Sequence, residues 1–277
     1  RLDIAGMGLP GTGTATELVA WINGHPDFTD LPVDLSHRRA VIVGNGNVAL
    51  DVARVLTRDP ATLARTDIAD HALAALRDSK IAEVVIAARR GPAESAFTLP
   101  ELIGLTGVAD VVLDAADHEL VRRDLAGATD RMTRNKLEIL TNLPVAGELS
   151  EAARPRIRFT YQRTPYRVLG PERATGIEFT VTGTDQVVDL DAGLILTSIG
   201  YRGRPIRDLP FDDDTGVVPN DGGRVIHAVT GARIPGAYVA GWIKRGPTGF
   251  IGTNKSCSMQ TVHRLVEDFN ADLLPDP

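Results

Sequence analysis

Apolar and polar positions change rhythm several times along this chain. Thr14–Ile22, TATELVAWI, sets apolar residues at helical spacing behind a threonine that has a glutamate three positions on, the pattern of a capping box. The polar, proline-bearing stretch HPDFTDLPVD then leads into an apolar run, Ala40–Val43, a glycine-rich turn and a helical pattern reaching towards Leu56. Residues 57–80 read as one or two helices. Ile81–Arg90 reads as a short buried strand closed by two arginines, and Val108–Asp114 as a third strand. Residues 118–142 look helical and heavily charged. Between 155 and 190, RIRFTYQRTPYRV and GIEFTVTGTDQVVDL alternate polar with apolar residues, which predicts antiparallel strands. Ala192–Tyr201 is another buried strand, followed by a proline- and glycine-rich connection to about residue 235. GAYVAGWI reads as the last strand and TNKSCSMQTVHRLVEDF as the last helix. The alternation of β and α elements predicts an α/β fold with a doubly wound parallel sheet.

Composition narrows the class. The 277 residues suit one large domain or two ordinary ones, and 43% hydrophobic with 24% charged residues is enough for a packed core. A net charge of -6 argues against nucleic acid as the main partner. The single cysteine, Cys257, makes no internal disulfide, zinc site or thiolate-held cluster, and a reducing, cytoplasmic setting is expected. No apolar run approaches membrane-spanning length, and no signal peptide is visible. The chain begins at Arg1 rather than Met, as expected of a fragment or a processed product.

The candidate chemistry centres on VIVGNGNVALDVARVL, which fits G-x-G-x-x-A between a strand and a helix. Gly44 would allow the tight turn, Gly46 would let backbone approach a pyrophosphate, and Ala49 would keep the helix close to the sheet. The amides of Asn45, Gly46, Asn47 and Val48 would face the anion from the helix N-terminus. An ordinary strand-to-helix turn with small residues reads the same way. The following strand ends in Arg89-Arg90, where NAD-binding versions place a carboxylate for the ribose 2′-hydroxyl. Two guanidinium groups suit a 2′-phosphate and so favour NADP over NAD, the plainer alternative being a solvated strand end. The spacing from the glycines is about 40 residues rather than about 20, which the helical stretch 57–80 explains. Upstream, PGTGTATE carries Gly11 and Gly13 but no P-loop lysine, and reads as a turn with a helix cap.

Three blocks, GNGNVALDVARVL, RRGPAESAFTLPEL and GWIKRGPTGFIGTNK, together resemble the ferredoxin–NADP reductases of the adrenodoxin reductase type, especially their actinobacterial members. The likeness runs through essentially the whole chain. It implies a fold related to glutathione reductase, with one Rossmann-like domain for NADP and another for FAD. It also implies NADP contacts at Asn45, Gly46, Asn47 and Val48, at Arg89 and Arg90, and at Glu101, and FAD contacts at Trp242, Gly249, Phe250 and Ile251. Gly249 also falls where the nicotinamide end of NADP is met. The implied reaction carries hydride from NADPH to flavin and then single electrons to ferredoxin, and asks no nucleophile of the protein. Ser95, Ser198 and Ser256 lie in no nucleophile-elbow motif, and His118 and His227 have no metal-ligand spacing, so neither a catalytic side chain nor a metal is expected.

The chain departs from the family in two places. No strand-GxGPAG-helix motif for FAD precedes residue 38, so residues 1–203 are expected to be the NADP domain with its linker and 204–277 only the C-terminal part of the FAD domain. Gly104 stands where many members have a glutamate near the nicotinamide. Ferredoxins are typically acidic, and the basic run with Arg122, Arg123, Arg131, Arg134 and Lys136 is either their docking surface or a solvated helix face. Two other readings stay open: a relative of the small subunit of glutamate synthase, which also uses NADPH and FAD, and an isolated NADP-binding module without catalysis.

Overall fold

The computed structural model describes residues 2–147, 154–247 and 251–275, with only the backbone at Ile251. Its contacts divide the chain into two compact units, with the division between Ile199 and Gly200.

In the first unit the residues ahead of the capping box, which read as a turn, form a strand, β1 (Thr12–Thr14). Gly11 enters it at φ +92°, where a Cβ would collide with the carbonyl oxygen of Gly193. α1 (Ala15–Ile22) is capped as its sequence predicts: the Thr14 hydroxyl accepts from the Glu17 N–H at 3.1 Å, and the Glu17 carboxylate accepts from the Thr14 N–H at 2.8 Å. There follow β2 (Arg39–Val43), α2 (Asn47–Thr57), α3 (Pro60–Leu63), α4 (Asp70–Arg77) and β3 (Glu83–Ala87). The LPEL segment then opens a helix, α5 (Leu99–Thr106), before β4 (Asp110–Leu113), α6 (Ala115–Gly127) and α7 (Arg131–Thr141). The rest is strand: β5 (Arg156–Thr160), β6 (Arg163–Leu169), β7 (Gly176–Val181), β8 (Val187–Asp191) and β9 (Leu194–Thr197).

Six strands make one sheet in the order β1-β9-β2-β3-β5-β4, and every neighbouring pair is parallel. The antiparallel expectation for 155–190 therefore fails at β5, which inserts between β3 and β4. Its alternation is real but has another cause: Ile157 and Phe159 face the helices, while Arg156 and Arg158 form a polar face. Of the strands in that stretch β6, β7 and β8 are the antiparallel ones, in a separate three-stranded sheet.

That small sheet also corrects the doubly wound picture. Ala40, Ile42, Val84 and Ile86 pack with residues of α1, α2, α4, α5, α6 and α7 in one core. Val41, Val43, Val85 and Ala87, on the other face, pack against Val168, Ile177 and Phe179 of the antiparallel sheet. Helices thus cover one face and strands the other. Because both faces are buried, β2 and β3 read as apolar runs after their first, charged residue, whichever kind of layer covers them. The order also reverses at β2, with β3 on one side and β9 on the other. Open α/β sheets bind ligands at the carboxyl ends of strands at such a switch point.

The second unit contains β10 (Asn220–Asp221), β11 (Arg224–Ile226) and β12 (Arg233–Tyr238) in an antiparallel sheet, then α8 (Trp242–Arg245) and α9 (Ile251–Asn270). The strand expected to run through GAYVAGWI stops at Tyr238. Gly241, at φ +71°, turns the chain so that Trp242 opens a short helix rather than ending a strand. Buried Arg224 ties β11 to α9 through Asp268 (2.7 and 2.8 Å), whose carboxyl is held down at about 2 by that guanidinium and by the Tyr238 hydroxyl. Among the described residues no helix is long and apolar enough to cross a membrane.

Candidate functional site

The carboxyl ends of β2, β3 and β9 converge on the glycine turn. Ser198 N donates to Val43 O (2.7 Å), and Gly44 N donates to Ala87 O (2.8 Å). Gly44 has φ +110°, and a Cβ there would collide with the Ser198 carbonyl oxygen, so this position needs glycine for both conformation and space. Gly46 differs. A Cβ at Gly46 would meet nothing within 4 Å, which leaves its surface open for a ligand to approach. Gly46 is also the N-cap of α2 and supplies no side-chain cap, and the first turn holds no acidic residue. The α2 N-terminus therefore presents amides and a positive dipole end to solvent, as an anion site requires. Ala49 is fully buried against the sheet.

The asparagines of the motif do more than offer amides. Asn45 Oδ1 accepts from Ala96 N (3.3 Å) and Asn47 Oδ1 accepts from Thr98 N (2.8 Å), laying the loop 91–98 across the glycine turn. The same loop is held from its far side. Asp124 Oδ2 accepts from Ala93 N (3.0 Å), the Ser95 and Tyr161 hydroxyls meet at 3.1 Å, and Lys136 Nζ donates to Ser95 O (2.9 Å) and Phe97 O (3.4 Å). Lys136 is half-buried, with its pKa lowered by burial and its ammonium 5.6 Å from the Phe97 ring centroid. It thus leaves the basic run expected to dock a partner: its charge is spent on backbone carbonyls. Of that run Arg122, Arg123 and Arg134 are exposed and pair with Glu119, Asp124 and Glu138, while Arg131 lies exposed at the start of α7.

Arg89 and Arg90 follow β3 after one buried residue, Ala88, and both are exposed. Arg90 Nη1 lies 3.3 Å from Glu94 Oε1, whereas the Arg89 guanidinium has no partner among the described residues. Their backbone is fixed by residues that the sequence reading does not single out. Ala88 O accepts from Arg163 N (2.9 Å), Arg90 O from Gln162 N (3.2 Å) and Arg89 O from the Thr182 hydroxyl (2.8 Å). Glu101 in α5 is bound by Arg54 Nη2 at 3.2 Å, and Arg54 also reaches Asp51 at 3.3 Å. Burial raises the Asp51 pKa, Arg54 opposes the shift, and Glu101 adds to it. Gly104, on the same helix, is exposed.

Behind this frame lies Asp117 of α6, 1% exposed, whose Oδ2 accepts from Tyr161 N at 2.9 Å. Burial pushes its carboxyl up to about 6, against the pull of that hydrogen bond and of Arg163. The folded pKa lies above the unfolded one, so the cost of this group is absent below about pH 4 and grows as pH rises to about 6. Asp117→Asn keeps an acceptor for Tyr161 N. It is expected to raise unfolding stability at pH 7 by about 2 kcal/mol and to flatten the slope between pH 4 and pH 6. Urea unfolding at the two pH values checks this, and an unchanged slope would contradict it.

In the second unit Trp242, 40% exposed, has its ring 5.1 Å from that of Tyr201. Lys244 is buried, with Nζ donating to Gln260 Oε1 (2.8 Å), Thr261 Oγ1 (3.0 Å) and Gly222 O (3.2 Å), so the GWIKRG segment is anchored to α9 and the β10–β11 turn. Gly249 and Phe250 lie outside the described residues, as does the Ile251 side chain. No group of three or more His, Cys, Asp or Glu that could hold a metal occurs among the described residues.

No family model matches the chain. Its whole length is 71% identical, over 278 residues, to a probable ferredoxin/ferredoxin–NADP reductase of Mycobacterium tuberculosis, and covers 48% of that protein. It is 38% identical over 299 residues to the mitochondrial NADPH:adrenodoxin oxidoreductase of Arabidopsis thaliana, with 96% of this chain and 61% of that protein aligned. Among solved structures it resembles Mycobacterium tuberculosis FprA in complex with NADPH, with TM-score 0.82 and 40% identity, covering all of this chain and 64% of that one. The chain thus spans between about half and two thirds of the length of these relatives.

Proposed function

In sequence and fold the chain belongs to the ferredoxin–NADP reductases of the adrenodoxin reductase type, and from that premise we propose that it carries the NADPH-binding part of an enzyme passing electrons from NADPH through FAD to a ferredoxin. The observation that carries the reading is the pairing of an uncapped α2 N-terminus, open at Gly46, with two exposed guanidinium groups at the end of the adjacent strand. A pyrophosphate fits the first and a ribose 2′-phosphate the second. Asn45 to Val48 would hold the pyrophosphate through backbone amides, while the Asn45 and Asn47 side chains keep the overlying loop in place.

Residues 1–203 form the NADP-binding domain with its linker in this reading, and residues 204–277 contribute part of the flavin domain. FAD, when bound, supplies the conversion between a two-electron donor and a one-electron acceptor. Exposed Trp242, at the start of α8, and Gly249, Phe250 and Ile251 are this chain's proposed contacts to it. We place the protein in the cytoplasm, where its free, buried Cys257 stays reduced. Calorimetric titration with NADPH and NADH tests the reading. NADPH is expected to bind at least tenfold more tightly, and equal affinity, or none for either, would overturn it.

Ferredoxin docking is proposed for Arg122, Arg123, Arg131 and Arg134 on α6 and α7. Reversing Arg131 and Arg134 to glutamate is expected to weaken binding of an acidic ferredoxin about tenfold at low salt and to make binding less salt-dependent. Affinity and salt dependence that stay unchanged would remove these helices from the interface.

A further inference from the structure

The Rossmann strand that ends in Arg89 and Arg90 does not aim those side chains by itself. Beyond Ala87 the chain leaves the sheet register, and the carbonyls of its next three residues are taken up by groups from the first residue of β6, the turn before it and the β7–β8 hairpin turn. Ala88 O accepts from Arg163 N, Arg89 O from the Thr182 hydroxyl at 2.8 Å, and Arg90 O from Gln162 N. Gln162 has φ +55°, a conformation that non-glycine residues rarely adopt, and Thr182 N donates to Gln162 O at 2.9 Å. Thr182 therefore grips both halves of the arrangement, one through its hydroxyl and one through its amide. The hydroxyl is also 2.8 Å from that of Thr164, which can donate to it and so leave the Thr182 proton directed at Arg89 O.

We infer that Thr182, in the hairpin turn just after β7 and outside the nucleotide-binding motif, is a positioning residue that sets the preference for a 2′-phosphorylated adenosine by fixing the backbone of Arg89. The inference rests on the proposed NADPH reading and deepens it. Arg89 is the guanidinium without a partner among the described residues, so it is the one available to a phosphate without first giving up an ion pair. A long side chain on an exposed strand end meets a dianion productively only if its Cα–Cβ direction is held, because a free backbone adds to the rotamer entropy lost on binding. The Thr182 hydroxyl supplies the bond to the carbonyl of Arg89 itself, between the bonds that hold Ala88 O and Arg90 O.

The test compares the wild-type chain with Thr182→Val, Thr182→Ser and Thr164→Val, titrating each with NADP+ and NAD+ and recording its melting temperature. Thr182→Val keeps the shape and loses the donor. It is expected to weaken NADP+ about fivefold to tenfold and leave NAD+ unchanged. Thr182→Ser is expected to restore the wild-type ratio, and Thr164→Val to lower it about twofold. A ratio unchanged in Thr182→Val overturns the inference. So does an equal loss for both dinucleotides, or a loss that follows the melting temperature and is not rescued by serine, because each marks a purely structural role. If instead the wild-type chain shows no preference for NADP+, the nucleotide reading itself fails, which the wild-type titration alone reveals.

Discussion

Replacing Arg89 and Arg90 together by alanine is expected to weaken NADPH binding by about two to three orders of magnitude while leaving NADH within about threefold. A charge-assisted hydrogen bond is worth about 1.5–3 kcal/mol, and the lower end applies here because both side chains are exposed and screened. Two such contacts on one dianion give about 3–4 kcal/mol, and each 1.4 kcal/mol is a factor of about ten. The single variants should differ. Arg90 must release Glu94 before it can turn to a phosphate, at a cost within the small range of an exposed ion pair, whereas Arg89 has nothing to release. Arg89→Ala is therefore expected to cost more than Arg90→Ala. Fluorescence or calorimetric titration with the two dinucleotides decides it, and an equal fall in both affinities would mean that the pair shapes the fold rather than reads the phosphate.

This expectation is available from the linear chain because the features behind it are local. An apolar strand, a turn position with a positive φ that calls for glycine and a helix start all lie within Arg39–Thr57. The arginine pair is equally plain, once the stretch between Gly46 and Arg89 is recognised as helical. What could not be read is every contact that closes over a long stretch of sequence. Lys136 looks like one more positive charge on a basic helix, yet its ammonium reaches carbonyls 41 and 39 residues away, and nothing in the local pattern distinguishes a solvated lysine from a clamp. Thr182 sits in a polar hairpin, TVTGTDQ, and acts on a residue 93 positions earlier. The strand β5 departs from the antiparallel expectation for a related reason: alternation reports two unlike faces, and a parallel strand with a polar network on one face alternates as cleanly as an antiparallel one.

That polar face sets the second large effect. Glu83 opens β3 inside an otherwise apolar stretch, IAEVVIA, and is fully buried. Its carboxylate meets Arg39 Nε at 2.6 Å, Arg156 Nε at 2.9 Å and Arg158 Nη2 at 3.4 Å, so one anion joins the first residues of β2, β3 and β5, with Asp114 taking the other side of Arg158 at 3.0 Å. Glu83→Gln has nearly the same shape but leaves three mostly buried guanidinium groups without their shared anion. Removing one partner of a buried ion pair costs about 3–5 kcal/mol, and the lower figure suits arginines that keep some contact with water. Urea unfolding is expected to show a loss of about 3 kcal/mol for the first unit, little changed by salt because the network is shielded from it. A loss below about 1 kcal/mol would mean that water and Asp114 already carry these charges. Glu83 lies at the start of the strand whose other end carries Arg89 and Arg90. The folded fraction of the variant should therefore still prefer NADPH over NADH by the wild-type ratio, which separates a residue that holds the sheet together from those proposed to read the nucleotide.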